Sequence, residues 1–157
     1  MVYKKKSWKD KLNNDKDLPR IVPIEGRLSK KWGTGTCVIP SPKEVNQLMK
    51  KIPKGKLVTI NQIRETLAKK HKATIGCPIT TGIFARIAAG VAGEEAKEGK
   101  KNITPYWRTL KQGGVINEKY PGGVKAQKDL LEKEGHKVKQ KGKKYVVVNF
   151  KNHLAKM

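Results

Sequence analysis

Residues 79–96, Ile-Thr-Thr-Gly-Ile-Phe-Ala-Arg-Ile-Ala-Ala-Gly-Val-Ala-Gly-Glu-Glu-Ala, constrain the fold of this chain more than any other stretch. Ile83, Phe84, Ile87, Ala88 and Val91 recur at helical spacing and predict a helix with one apolar face. Its other positions are small: Thr80, Thr81, Gly82, Ala85, Ala89, Gly90 and Gly93. A face that small lets another backbone approach closely, either a neighbouring helix or DNA.

Two shorter helices are expected before it. Ser41-Pro42-Lys43-Glu44 reads as a capping box with proline at the first helical position. Val45, Leu48, Met49 and Ile52 then mark one face of a helix over 42–52. Pro53-Lys54-Gly55-Lys56 breaks it, and Leu57-Val58 is short and extended. Thr59-Ile60-Asn61-Gln62 offers a second capping box, with Ile60, Ile63 and Leu67 facing one way up to about Lys70. Helix, connection and small-residue helix predict a helix-turn-helix, although the connection is longer than the usual three or four residues.

On either side the pattern is different. Residues 1–35 hold no sustained period and read as a basic, partly irregular arm that packs in places through Trp8, Ile21, Ile24 and Trp32, followed by a strand over Thr36–Ile39. After the basic loop Gly99–Thr104, a glycine-rich stretch leads into a helix over 124–134, with Val124, Leu130 and Leu131 inward and Gly135 as its stop. Val138 and Tyr145–Phe150 predict a terminal hairpin over a lysine-rich turn, placed like a wing. The expected fold is α+β, mostly helical: a winged-helix-like helix-turn-helix domain over 36–138, with the arm at 1–35 and the hairpin and tail at 139–157.

Charge points to the partner. The chain has 36 basic and 13 acidic residues in 157, a net charge of +23. The excess is spread along the whole length, and a field of that kind attracts polyanions and speeds their association. Only Arg20, Arg27, Arg64, Arg86 and Arg108 are arginines, and lysine is a point charge better suited to phosphates than to bidentate reading of a base edge. Duplex DNA is the expected partner, with RNA as the alternative and no membrane, since no apolar run approaches the ~20 residues of a span. Cys37 and Cys77 are too few for a disulfide framework and fit a reducing, cytoplasmic, nucleoid-associated setting. Cys37, His71, Cys77, His136 and His153 are scattered without metal-ligand spacing, and no phosphate-cradling glycine loop follows a strand, so no metal or cofactor is expected. Tyr106, Trp107 and Tyr120, on glycine- and proline-rich loops beside Arg108, are of the kind that can stack an extruded base or roof a small core.

Four segments carry a resemblance. Ile52-Pro53-Lys54-Gly55-Lys56-Leu57-Val58-Thr59, Pro105-Tyr106-Trp107-Arg108, Tyr120-Pro121-Gly122-Gly123 and Leu130-Leu131-Glu132-Lys133-Glu134-Gly135-His136 match, in order and spacing, the DNA-binding domain of the methylated-DNA–protein-cysteine methyltransferases. The resemblance covers about residues 42–138. In that family Pro-Cys-His-Arg stands where this chain has Pro-Tyr-Trp-Arg: the cysteine thiolate accepts the alkyl group, the histidine relays its proton and a glutamate orients the histidine. The resemblance puts Tyr106 at the acceptor position, Trp107 at the relay position and Glu134 at the glutamate position. A phenol with pKa ~10 is a poor nucleophile at neutral pH, and a tryptophan ring nitrogen accepts no proton. It further puts Gly82 where the family has an arginine that replaces the flipped base, with Arg86 one turn later, and Ile60 where it has a tyrosine that helps rotate the nucleotide.

Loss of the acceptor cysteine to an aromatic residue is similar to the alkyltransferase-like proteins, which bind alkylated guanine without repairing it and present it to excision repair. The resemblance therefore implies a non-catalytic DNA-binding protein with no catalytic residue, one that recognises alkylated DNA and hands it to a repair partner the sequence does not identify. Thr80, Thr81, Arg86 and Arg108 would contact DNA, with lysines of the arm and Lys97, Lys100 and Lys101 on phosphates. Tyr106, Trp107, Tyr120, Gly122, Gly123 and Glu134 would line the base pocket. The alternatives are a general basic nucleoid or RNA protein on the same fold and, more remotely, residual transfer of alkyl groups to Cys37 or Cys77.

Overall fold

The computed structural model describes residues 7–157. The first six residues of the expected arm lie outside the described residues. The remainder of that stretch holds more regular structure than its sequence pattern predicts. Helix α1 (Trp8–Leu12) starts at a capping box in which Ser7 and Asp10 exchange bonds. Strand β1 (Arg20–Pro23) and helix α2 (Arg27–Trp32) follow. β1 pairs antiparallel with β2 (Thr36–Ile39), Arg20 opposite Ile39 and Pro23 opposite Thr36, and Ile24 is buried with Cys37 and Cys77 beneath. Long-range pairing, invisible to local periodicity, orders this segment.

Helix α3 (Pro42–Lys50) begins where expected: Ser41 Oγ accepts the Glu44 N–H at 3.2 Å, and Pro42 supplies the first helical residue. The reciprocal half of that capping box is not made. Glu44 is buried and turns to the next helix, where its Oε2 takes Lys70 Nζ at 2.8 Å and His71 Nε2 at 2.6 Å. Charge-assisted bonds outweigh a reach back to a neutral N–H. After β3 (Val58–Thr59), helix α4 (Ile60–His71) carries the full expected box, Thr59 Oγ1 accepting from the Gln62 N–H at 3.3 Å and Gln62 Oε1 from the Thr59 N–H at 3.0 Å.

The long connection to the third helix is itself a strand. β4 (Ile75–Gly76) pairs parallel with β2, Cys37 opposite Ile75 and Val38 opposite Gly76, which completes the three-stranded sheet β1-β2-β4. Helix α5 (Pro78–Lys97) then starts with Pro78 at its first position.

On α5 the expected apolar face is buried at Ile87, Ala88 and Val91, and Phe84 packs against the main core; Ile83 is the one member that departs. Ala85, Ala88, Ala89 and Ala92 are buried in the main core with Val45, Met49, Ile63 and Leu67, whereas Ile83 is 51% exposed and Ile79 59% exposed. The small residues face inward because α3 and α1 lie close against α5. At Gly90 an added Cβ would overlap the Trp8 indole, and at Gly93 it would come within 2.8 Å of Pro121 Cγ. The larger Ile79 and Ile83 turn outward at the start of the helix, whereas Ile87 is buried.

The chain continues through a 3-10 turn (Tyr106–Arg108), β5 (Thr109–Leu110, parallel to β3), a second 3-10 turn (Gln112–Gly114) and α6 (Gly123–Lys133). The expected hairpin forms from β6 (Val138–Lys141) and β7 (Lys144–Val147), Val138 opposite Val147, turning at Gly142 with φ of 65°. A last 3-10 turn (Phe150–His153) brings the tail back to the core. There the Leu57 N–H donates to the His153 carbonyl at 2.8 Å, and the Ala155 N–H to the Leu57 carbonyl at 2.8 Å. The architecture is mixed α+β with a helix-turn-helix at its centre. Among the described residues no helix is long and apolar enough to cross a membrane.

Candidate nucleic-acid interface

The outer face of α5 is formed by Ile79, Gly82, Ile83 and Arg86. A Cβ at Gly82 would meet nothing within 4 Å, so this position opens to the surroundings. Arg86 is exposed and its guanidinium carbon lies 5.8 Å from the centre of the Trp8 ring. Thr80 and Thr81, expected on this face, are not there. Thr81 is fully buried and its hydroxyl donates to the Cys77 carbonyl at 2.6 Å, the back-bond that threonine makes in a first helical turn. The Thr80 hydroxyl is buried without a partner, while its N–H donates to Cys77 Sγ at 3.5 Å. The first turn of α5 folds its hydroxyls inward because Cys77, the capping residue, lies in the core. Sequence reasoning did not place Ile79 or Ile83 on this outer face, although Ile79, Ile83 and Arg86 stand at helical spacing.

Around the loop from Pro105 the structure brings Trp107, Arg108 and Glu134 together. Arg108 and Glu134 have side chains only 13% and 6% exposed. Arg108 Nη2 donates to Glu134 Oε2 at 2.7 Å, Nε donates to both carboxylate oxygens at 3.0 and 3.1 Å, and Nη1 donates to the Ile52 carbonyl at 2.7 Å. Glu134 also accepts the Trp107 indole N–H at 2.8 Å and the Gly55 N–H at 3.1 Å. Burial alone would raise the Glu134 carboxyl, but Arg108, Trp107 and Gly55 together hold it below its ordinary value. Arg108, expected in contact with DNA, is a clamp that ties the 3-10 turn to the end of α3 and the end of α6. Its Nε–H and one N–H of each terminal nitrogen are engaged internally.

Tyr106 and Tyr120 are 6% and 3% exposed and meet edge to face with ring centres 5.7 Å apart, and Tyr106 meets Trp107 likewise at 5.4 Å. Both tyrosines belong to the main core with Val45, Met49 and Ala92. Burial pushes both phenols above their ordinary value, so they stay protonated. Of the two roles the sequence allows these aromatics, stacking an extruded base or roofing a small core, their packing here is that of the second, a filled aromatic cluster. Apolar neighbours reward burial of the rings more than a gap would.

Gly122 caps α6 with φ of 79°, and any Cβ there would overlap that of Ala126. Gln127, fully buried on α6, sets this loop against the 3-10 turn: its Oε1 accepts the Asn117 N–H at 3.1 Å and its Nε2 donates to the Trp107 carbonyl at 3.2 Å. It was not singled out from the sequence. The signal was its place on the inward row of α6 with Val124 and Leu131.

Lys97 at the end of α5 and Lys100 and Lys101 beyond it are exposed, with Lys100 3.4 Å from Glu98. Cys37 and Cys77 are buried, and burial, with the neighbouring Cys77 adding to it, pushes the Cys37 thiol up to about 11. A thiol in that state is no nucleophile at neutral pH. Among the described residues no group of three or more His, Cys, Asp or Glu side chains could hold a metal ion.

No protein-family model matches the chain, and no curated protein matches it. Among solved structures it is similar to S. pombe Atl1 in complex with damaged DNA containing O6-carboxymethylguanine, with 22% identity and a TM-score of 0.50 over 74% of this chain and 94% of that one. S. pombe ATL in complex with DNA aligns at 20% identity and a TM-score of 0.48 over the same shares of the two chains. The first likeness shows a shared fold, and it is the fold that the sequence resemblance implies.

Proposed function

We propose that this chain is a non-catalytic DNA-binding protein of the alkyltransferase-like type, which recognises alkylated guanine in duplex DNA and leaves the alkyl group in place. The observation that carries this reading is the bond from the Trp107 indole to Glu134. The resemblance gives Trp107 the proton-relay position, and its link to the carboxylate is kept. An indole N–H, however, only donates. Tyr106, at the acceptor position, is a buried and protonated phenol with no means of handing its proton on through that ring. The site keeps the frame of a transfer reaction without its chemistry.

DNA would lie on the outer face of α5. Arg86 would serve one phosphate, Lys97, Lys100 and Lys101 others, while Ile79 and Ile83 make apolar contact with sugars and base edges. The net charge of +23 supports a partner of this charge. A flipped base would be read at Tyr106, Tyr120 and the Gly122-Gly123 turn, and for that the tyrosine pair must part.

The test is fluorescence anisotropy on two duplexes that differ only by a central O6-methylguanine. Tighter binding to the modified duplex that survives physiological salt supports the reading. Changing Tyr106 to alanine, at a temperature where circular dichroism shows the variant folded, should then weaken the preference and leave general binding intact. Equal loss on both duplexes would sink the pocket assignment.

The closed packing of Tyr106 on Tyr120 and the open space at Gly82 favour a second reading, a general binder of nucleic acid that uses the fold as a charged platform. Its signature is strong, salt-sensitive binding to DNA and RNA alike with no lesion preference.

A further inference from the structure

Two clefts lie along the outer side of α5 and meet at Trp8. The first, about 620 Å³, has the Trp8 indole, Lys11 and Arg86 over an apolar floor of Ile83 and Ile87. The second, about 230 Å³, shares Trp8 and Arg86 and continues past Gly90 to Lys97, Lys119 and Pro121. Glu94 is the single acid that lines either of them, against four cations. From Ile83 to Lys97 the helix advances ~21 Å, so together the clefts make a trough long enough for a short run of nucleotides.

Trp8 is the centre of this trough. One side of its indole rests on Gly90, where any side chain would displace it. Lys11 Nζ stands 4.7 Å and the Arg86 guanidinium 5.8 Å from the ring centre. Both cations lie over the half-buried indole, so a base reaches the ring as the flexible Lys11 and Arg86 side chains swing aside to the strand's phosphates. Such a pairing suits a single strand rather than a duplex, whose bases are already stacked.

We infer that this trough extends the DNA-facing surface of α5, with which it shares Ile83, Arg86 and Lys97, and takes an unpaired DNA strand continuing from the duplex held there, with one base stacked on Trp8. The inference rests on the proposed reading of α5 as the DNA-facing helix. It gives the N-terminal helix α1, which the helix-turn-helix does not need, a task of its own: it carries the stacking platform.

The experiment compares a blunt duplex with the same duplex bearing a short single-stranded overhang at either end, by fluorescence anisotropy on the full chain. The overhang should tighten binding about tenfold, the size expected for one stacked base. Trp8→Leu should abolish that gain, Trp8→Phe should keep most of it, and both should bind the blunt duplex as the unchanged chain does. An overhang without effect, or a gain that survives in Trp8→Leu, overturns the inference. If the blunt duplex does not bind at all, the DNA-facing role of α5 fails by itself. Binding of a single-stranded oligonucleotide alone then decides the trough: sensitivity to Trp8→Leu supports it and indifference refutes it.

Discussion

Replacing Glu134 by glutamine tests whether the Trp107–Arg108–Glu134 cluster is a structural hub. The carboxylate sits at the end of α6, takes three bonds from Arg108, one from Trp107 and one from the Gly55 backbone, and has a side chain only 6% exposed. Glutamine keeps an acceptor oxygen for Gly55 or Trp107 but sets an NH₂ against the guanidinium and leaves the positive charge of Arg108 buried without a counterion. Breaking one side of a buried pair costs about 3–5 kcal/mol. The retained acceptor puts Glu134→Gln near the lower end. At 2–4 °C per kcal/mol in a domain of this size, the melting temperature should fall by roughly 6–12 °C. Thermal and urea unfolding followed by circular dichroism provide the assay. The double variant Arg108→Met/Glu134→Gln should lose less than the sum of the two single changes, because its partner charge is gone as well. A loss below about 1 kcal/mol in Glu134→Gln, or simple additivity in the double variant, would refute the hub.

Three further outcomes are expected. Gly82→Arg has open space for its side chain and replaces a mid-helix glycine, so it should raise stability by roughly 0.8 kcal/mol in thermal unfolding and steepen the logarithmic salt dependence of DNA binding by ~0.9. Arg86→Ala should flatten that salt dependence by a similar ~0.9, whereas Thr81→Val, buried on the other side of α5, should leave the binding curve unmoved. Stability should decline with acidity in two steps. Burial, aided by the nearby His153, holds His136 below its ordinary 6.5, so its contribution is present above that pH and is lost as pH falls through the depressed folded value. Glu44 and Glu134 are held below 4.5 by their partners, so theirs is present above 4.5 and is lost as pH falls further. His136→Leu, replacing a buried ring with both nitrogens unpartnered, should remove the upper step and keep the lower one in urea titrations across pH.

Elements set by local chemistry were legible in the sequence. Ser41 and Thr59 cap α3 and α4, Gly135 ends α6 and Gly142 turns the hairpin, because each depends on residues a few positions away. On α5 the inward positions of Ile87, Ala88 and Val91 were legible and the outward turn of Ile83 was not. An alanine stripe has a weaker hydrophobic signal than two isoleucines, and only the proximity of α3 and Trp8 makes the small residues the buried ones. Ordering of residues 7–35 was hidden for the same reason, since β1 gains its partner from β2 and Trp8 its seat from Gly90. At the candidate site the resemblance brought Trp107 and Glu134 to one place, and the structure joins them. Arg108 was misassigned because a basic residue next to aromatics reads alike whether it faces a phosphate or a buried carboxylate. Gln127 passed unnoticed because its polarity outweighed its place on the inward row of α6 with Val124 and Leu131.

The central claim is that this chain holds alkylated DNA without repairing it. It is tested most directly by incubating the protein with a duplex containing O6-methylguanine and then measuring, in the same sample, the bound fraction and the intact masses of protein and DNA. The account predicts a bound complex at physiological salt in which the protein mass is unchanged and the methyl group is still on the guanine. A protein one methyl group heavier, or a duplex no better bound than its unmodified counterpart, would contradict it.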